Sequence, residues 1–330
     1  MKSSITKYAV LLIMMCGILF LYNSCKKKEN PIKHKYGQFP ETIINLNELN
    51  GKLGDYNNSE YVIKGDIPIV FSNSDGRPEL EQGAISYIFD QTTGDIELAF
   101  DKTNDAFTQS LISKAAAQGN NISPYRFFCT IDGFEYFIFS SKNADGILDF
   151  SYLKNLPKFG ASYPEILGPH PLTLLNTTAN DAYISFNNTF DTAYFSSDRD
   201  GNFDIYVQPF SLTKSLSDQL DQPFIVSTKP DNINGSANDM CPFIHKNIMV
   251  FASDRDGGHG GFDLYYSVFK NGKWSAPINF GPEINTEFDE YNPIIGSVTD
   301  FKNSYMIFSS NRPSGNEDVD LYFTGIYLPK

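Results

Sequence analysis

The chain has 330 residues, a formal net charge of −13 and four cysteines, with 41% hydrophobic and 20% charged residues. That composition can bury a sizeable core and excludes wholesale disorder; the acidic balance argues against a nucleic-acid partner, which needs a clustered basic surface. Four cysteines are too few for a disulfide scaffold, and 28 Phe and 19 Tyr against a single Trp lean towards β-structure.

Lys2 and Lys7 precede Tyr8–Tyr22, an uncharged run of 15 residues. A bilayer span needs roughly 20 residues, so the run has the length of a secretory h-region instead. Ser24 then precedes Cys25, and Leu21 lies just upstream. The segment resembles a bacterial lipoprotein signal, which implies cleavage before Cys25 and a lipid on its thiol. Lys26 is not an Asp-type retention signal, so the resemblance implies the outer membrane, with a periplasmic or a surface face both open. Residues 1–24 are therefore expected to be a signal peptide. Residues 25–37, with the run Lys26-Lys-Lys28, are expected to be a basic flexible tether. Cys129 and Cys241 remain in the mature chain, 112 residues apart, and nothing in the sequence brings them together.

The rest of the chain, 38–330, is read as one domain built on an internal repeat. Phe195-Ser-Ser-Asp-Arg-Asp-Gly leads to Asp204-Ile-Tyr206. Phe251-Ala-Ser-Asp-Arg-Asp-Gly leads through a glycine-rich insert to Asp263-Leu-Tyr265, and Phe308-Ser-Ser-Asn-Arg312 leads to Asp320-Leu-Tyr322. Weaker copies begin at Phe139 and Phe71, so the leading Phe recurs at intervals of 68, 56, 56 and 57 residues. Each copy reads as a strand, a Ser-Asp-Arg turn, an aromatic strand and two further strands. Four-stranded sheets repeated radially are the β-propeller plan. The sequence predicts an all-β propeller of five four-stranded blades, with six as the alternative count. Asn104–Gln118 has helical composition and is expected to form a short helix outside the ring. The last blade runs out of chain before its fourth strand. Phe39–Asn50 resembles a fourth strand with its exit loop, and is expected to close the ring beside Asp320–Tyr327.

The letters from Phe251 through Trp274-Ser-Ala-Pro, Asn279-Phe-Gly, Ile284-Asn and Glu290-Tyr-Asn-Pro293 resemble the WD40-like propeller repeat of TolB-type and OmpA-associated envelope proteins. The resemblance is strong over 181–330 and fades over 50–150. It implies an extracytoplasmic propeller that binds other envelope components.

A second period lies in the loops that enter the inner strands, broken only in blade 2 around Asn120–Arg126. Asn50 precedes Asp55 by five residues, and the same offset joins Asn176 to Asp181, Asn234 to Asp239 and Asn285 to Glu290. These acids would ring one mouth of the channel and hold a cation or a basic peptide. They would equally satisfy loop backbone and fix the blade crossover. Asp198, Arg199, Asp204, Asp254, Arg255, Asp263, Arg312 and Asp320 belong to the repeat and read as structural. Asp198, Asp200 and Asp204 have the spacing of half a calcium loop but lack its later bidentate Glu, so no metal and no cofactor are expected.

No nucleophile elbow or phosphate loop appears, and the four histidines lack metal-ligand spacing. The expected function is a non-catalytic, membrane-tethered scaffold that docks an envelope protein or a cell-wall component. The alternative is a glycan-binding or glycoside-hydrolysing five-bladed propeller, in which two carboxylates at a mouth suffice for cleavage.

Overall fold

The computed structural model describes residues 32–49, 55–60, 65–73, 79–119, 121–157, 162–313 and 319–329. The signal segment, Cys25, the first part of the tether and Asn50 lie outside the described residues.

Strands in the described residues group into five sheets. Blade 1 is β2 (Asp55–Glu60), β3 (Asp66–Asn73), β4 (Glu79–Phe89) and β5 (Ile96–Lys102). Blade 2 is β6 (Asn121–Phe128), β7 (Glu135–Lys142), β8 (Leu148–Asn155) and β9 (Leu167–Pro171). Blade 3 has three full strands, β10 (Asp181–Phe186), β11 (Thr192–Ser197) and β12 (Asp204–Pro209); its fourth is reduced to a bridge between Val207 and Thr228. Blade 4 is β13 (Asp239–His245), β14 (Ile248–Ser253) and β15 (Asp263–Lys270). Its outer strand is split into β16 (Lys273–Trp274) and β17 (Ile278–Asn279), both on the edge of β15. Blade 5 is β18 (Glu290–Ser297), β19 (Ser304–Ser310), β20 (Asp320–Ile326) and, from the other end of the chain, β1 (Ile44–Asn45). The five-blade count and the closure by the N-terminal strand are as the sequence predicts.

The leading Phe of every repeat, at 71, 139, 195, 251 and 308, is fully buried. In blades 3, 4 and 5 it stacks on the tyrosine of the third strand at 5.7–6.0 Å between centroids: Phe195 on Tyr206, Phe251 on Tyr265, Phe308 on Tyr322. Full burial of such a side chain stabilises by roughly 1.5–3 kcal/mol, so the repeat letters mark the core of each blade.

The closing strand does more than complete a ladder. Ile44 pairs with Phe323 and Asn45 with Tyr322, and Leu46 N donates to Leu321 O at 3.0 Å. Phe39, Leu46 and Leu49 are fully buried, and the Phe39 ring stacks on Phe301 at 4.0 Å. Asn303 brackets the Phe39 peptide, accepting from its N–H and donating to its C=O, both at 2.9 Å. The helix expected near 104–118 is α1 (Ala106–Ala116), N-capped by Asp105 through Thr108 N at 2.7 Å. Its Phe107, Leu111, Ile112 and Ala115 pack against Val70, Leu80, Phe137 and Leu153, sealing the seam between blades 1 and 2. A second helix, α2 (Leu216–Leu220), sits in the long connection of blade 3.

Every inner strand carries a bulge at its third residue. The register shifts there in β2, β6, β10, β13 and β18. Ser123, Tyr183, Cys241 and Asn292 take positive φ of 48–58°. In three blades a proline follows at once (Pro124, Pro242, Pro293), where a residue without an N–H costs no ladder bond.

Candidate functional site

Asp181, Asp239 and Glu290 each open an inner strand, and all three are fully buried. The turn arginine of the same blade reaches each one. Arg199 Nη2 donates to Asp181 Oδ1 at 2.6 Å and to Leu175 O at 3.1 Å, while its Nε donates to Ser197 Oγ at 2.9 Å. Arg312 does the same with Glu290 (2.8 Å), Ile284 O (2.7 Å) and Ser310 (3.1 Å). Arg255 holds Asp239, Ile233 O and Ser253. Each guanidinium also lies 4.6–5.0 Å above the third-strand tyrosine. The second carboxylate oxygen accepts from loop backbone: Thr177 N at 2.7 Å, Gly235 N at 2.8 Å, Thr286 N at 3.0 Å. Asp55 is the first residue of β2.

The partner asparagines point to the preceding blade. Asn176 accepts from Phe150 N and donates to Phe150 O; Asn234 treats Ile205, and Asn285 treats Leu264, identically, all at 2.8–2.9 Å. The side-chain amide thus acts as one extra peptide on the third strand of the neighbour. The turn acids add another stitch: Asp198 accepts from Asn180 N and Nδ2, and Asp254 from Asn238 N and Nδ2. In blade 5 the two residue types are exchanged, with Asn311 and Asp289 making the same pair.

The three carboxylates of the calcium-like spacing do not converge. Asp198 serves Asn180, whereas Asp200 and Asp204 share Lys229, at 2.8 and 2.5 Å. Asp263 is fixed by His259 N and Asn279, and Asp320 by Asn45. Cys129 and Cys241 are buried free thiols in separate places, Cys241 on the channel wall, where burial pushes its pKa up.

The channel itself is narrow. A cavity of about 40 Å³ is lined by the bulges and the residues after them, among them Tyr125, Tyr183, Cys241, Phe243 and Asn292, with no carboxylate among them. A far larger cavity, about 620 Å³, lies at the rim of blade 3 between the end of β12 and α2. Phe224, 46% exposed with the Arg199 guanidinium 5.8 Å from its ring centre, and the buried Phe210 line it, while Lys214, Asp218, Gln219 and Gln222 supply polar groups. Sequence reading missed both features. The bulges had a signal, in proline two residues after the buried acid's neighbour in Asp239-Met-Cys-Pro and Glu290-Tyr-Asn-Pro. The rim cavity had none, because it joins a strand end to a loop that carries no repeat letters.

No family model matches the chain, and no curated protein does. Solved structures match it nearly end to end. A thermostable family-43 glycoside hydrolase superposes with a TM-score of 0.54 at 13% identity, covering 84% of this chain and 91% of that one. An endo-arabinase from Bacteroides thetaiotaomicron gives 0.53 at 12%, covering 89% and 98%. A GH43_1 enzyme from Xanthomonas citri complexed with xylose gives 0.52 at 11%, covering 86% and 89%. At these identities the likeness establishes the five-bladed fold. The expectation of a non-catalytic envelope scaffold is corrected to this extent: these solved structures, which share the fold, are glycoside hydrolases.

Proposed function

We propose that this chain is a carbohydrate-directed propeller that binds and cleaves glycosidic bonds in pentose-containing polysaccharide. The observation that carries the reading is the match over 84–89% of this chain, and 89–98% of theirs, to a family-43 glycoside hydrolase, an endo-arabinase and a GH43_1 enzyme complexed with xylose. The rim cavity of blade 3 supports it. An exposed phenyl ring, that of Phe224, beside amide, carboxylate and ammonium groups suits a sugar, which presents an apolar face and a belt of hydroxyls. Cleavage needs two carboxylates roughly 5–9.5 Å apart. The buried Asp181, Asp239 and Glu290 are held by arginines, so solvent-facing acids such as Asp218 of α2, at the rim cavity, are the candidates.

The test is release of reducing ends from arabinan and xylan by the purified protein, with Phe224→Ala and Asp218→Asn beside it. Release by the parent, weakened by Phe224→Ala through a raised KM, supports the reading. No release and no retention of either polysaccharide contradicts it. The address belongs to the same proposal: a lipid on Cys25 would hold the propeller at the envelope, where long polysaccharides arrive from outside. The TolB-type letters are taken as describing the blade repeat and its architecture.

A further inference from the structure

On the face opposite the arginine clamps, a cavity of about 480 Å³ opens between the hairpin turns of blades 4 and 5. His245 ends β13 and Lys246 begins its turn; Ser297 ends β18, Ser304 begins β19, and Thr299 and Lys302 lie in the turn between them. His245 Nε2 lies 2.9 Å from Ser297 Oγ, which lies 2.9 Å from Ser304 Oγ. Lys246 Nζ donates to Ser297 Oγ at 3.5 Å. A serine hydroxyl has one proton to give. With Nε2–H donating, Ser297 passes its proton to Ser304, and the Ser304 proton is left for the cavity.

The charge is as notable as the hydroxyls. None of the residues lining the cavity is a carboxylate. Among the described residues neither Lys246 nor Lys302 makes an ion pair. On a chain of net charge −13, two lysines in a lining without an acid favour an anion at this place, Asp300 being the one carboxylate of the same turn.

We propose that this cavity binds a tetrahedral oxyanion, sulfate or phosphate, either free or as an ester on a larger ligand. Lys246 and Lys302 supply point charges, which suit a tetrahedral group approached from several sides. Ser304 and Thr299 supply neutral donors. The site stands apart from the rim cavity of blade 3 and does not depend on the carbohydrate reading. Burial, with help from Lys246, holds the His245 pKa down at about 4. A bound anion favours the imidazolium and so raises that pKa, and affinity rises as pH falls from 7 to 5.

The test is a titration of the purified full chain with inorganic sulfate and phosphate at constant ionic strength, read by carbon-13 signals of labelled histidine. Only four histidines are present, and His245→Gln assigns the signal. The expected result is a saturable shift at His245 alone, a rise in its pKa of about one unit, and affinity roughly tenfold weaker in Lys246→Ala/Lys302→Ala. Both lysines are exposed, and an unchanged melting temperature shows the variant folded. A second arm compares a sulfated with an unsulfated xylo-oligosaccharide: tighter binding of the ester than of free sulfate identifies a sugar-borne anion, and equal binding identifies the free one. No saturable shift with any anion, or equal affinity in the double variant, overturns the proposal.

Discussion

Replacing Arg255 leaves the Asp239 carboxylate buried, with the Gly235 N–H as its remaining close donor. Removing one partner of a buried ion pair costs about 3–5 kcal/mol, and the 21% exposure of Arg255 places it at the low end of that range. Arg255→Met should therefore lower the denaturant midpoint clearly, and Asp239→Asn should lower it too. The double variant should cost less than the two singles together, because the second change removes the stranded charge. Simple additivity in urea melts would show that the two side chains act independently. His245 supplies a pH test of the same kind. Its folded pKa near 4 lies below the ordinary 6.5, so the unfolded chain takes up the proton first as pH falls. The contribution is intact above about pH 6.5 and is lost progressively down to about pH 4, by up to about 3 kcal/mol. His245→Gln should flatten stability across that window; an unchanged slope would place the acid sensitivity in other groups.

At the scale of elements, the closing segment is the most exposed to test. Its ladder alone is short, Ile44 and Asn45 pairing with Phe323 and Tyr322. The structure adds the burial of Phe39, Leu46 and Leu49 and the Asn303 bracket. Deleting 38–49 should lower the melting temperature sharply and leave the edge of β20 open to aggregation. Deleting 32–36 removes little beyond the bonds from Lys33 and His34 N–H to Gln91 O and should be nearly silent. Equal melting temperatures would mean the ring closes by other contacts. The glycine-rich insert of blade 4 has a similar reading. A Cβ at Gly260 would come within 2.1 Å of Phe288 O, so Gly260→Ala should destabilise the turn that carries Asp263. Elements with a strong local signal were legible: the Phe-led strands from their repeat, and α1 from the helical composition of 104–118 with its alanine run. Helix α2, of five residues, was hidden because it depends on tertiary partners, Leu216 N donating to Asp132 and Ser217 N to Tyr136.

For the whole molecule, periodicity in sequence told architecture and left chemistry silent. A repeat records what the blades share, here a buried Phe in all five and an arginine clamp and an asparagine stitch in blades 3, 4 and 5. A binding site is what one blade has and the others lack, as with the rim cavity of blade 3, and such a departure carries no periodic mark. The scaffold expectation came from reading repetition as the main content of the chain. The N-terminal address makes its own prediction: Cys25→Ala should move the protein from the membrane fraction to the soluble fraction, and a variant still wholly in membranes would sink the lipid anchor. The measurement closest to the central claim is calorimetric titration of the purified chain with xylotriose and arabinotriose, beside Phe224→Ala. The account predicts saturable binding of at least one sugar, weakened roughly tenfold by loss of the ring that would stack on it. Heats indistinguishable from dilution for both sugars would contradict it.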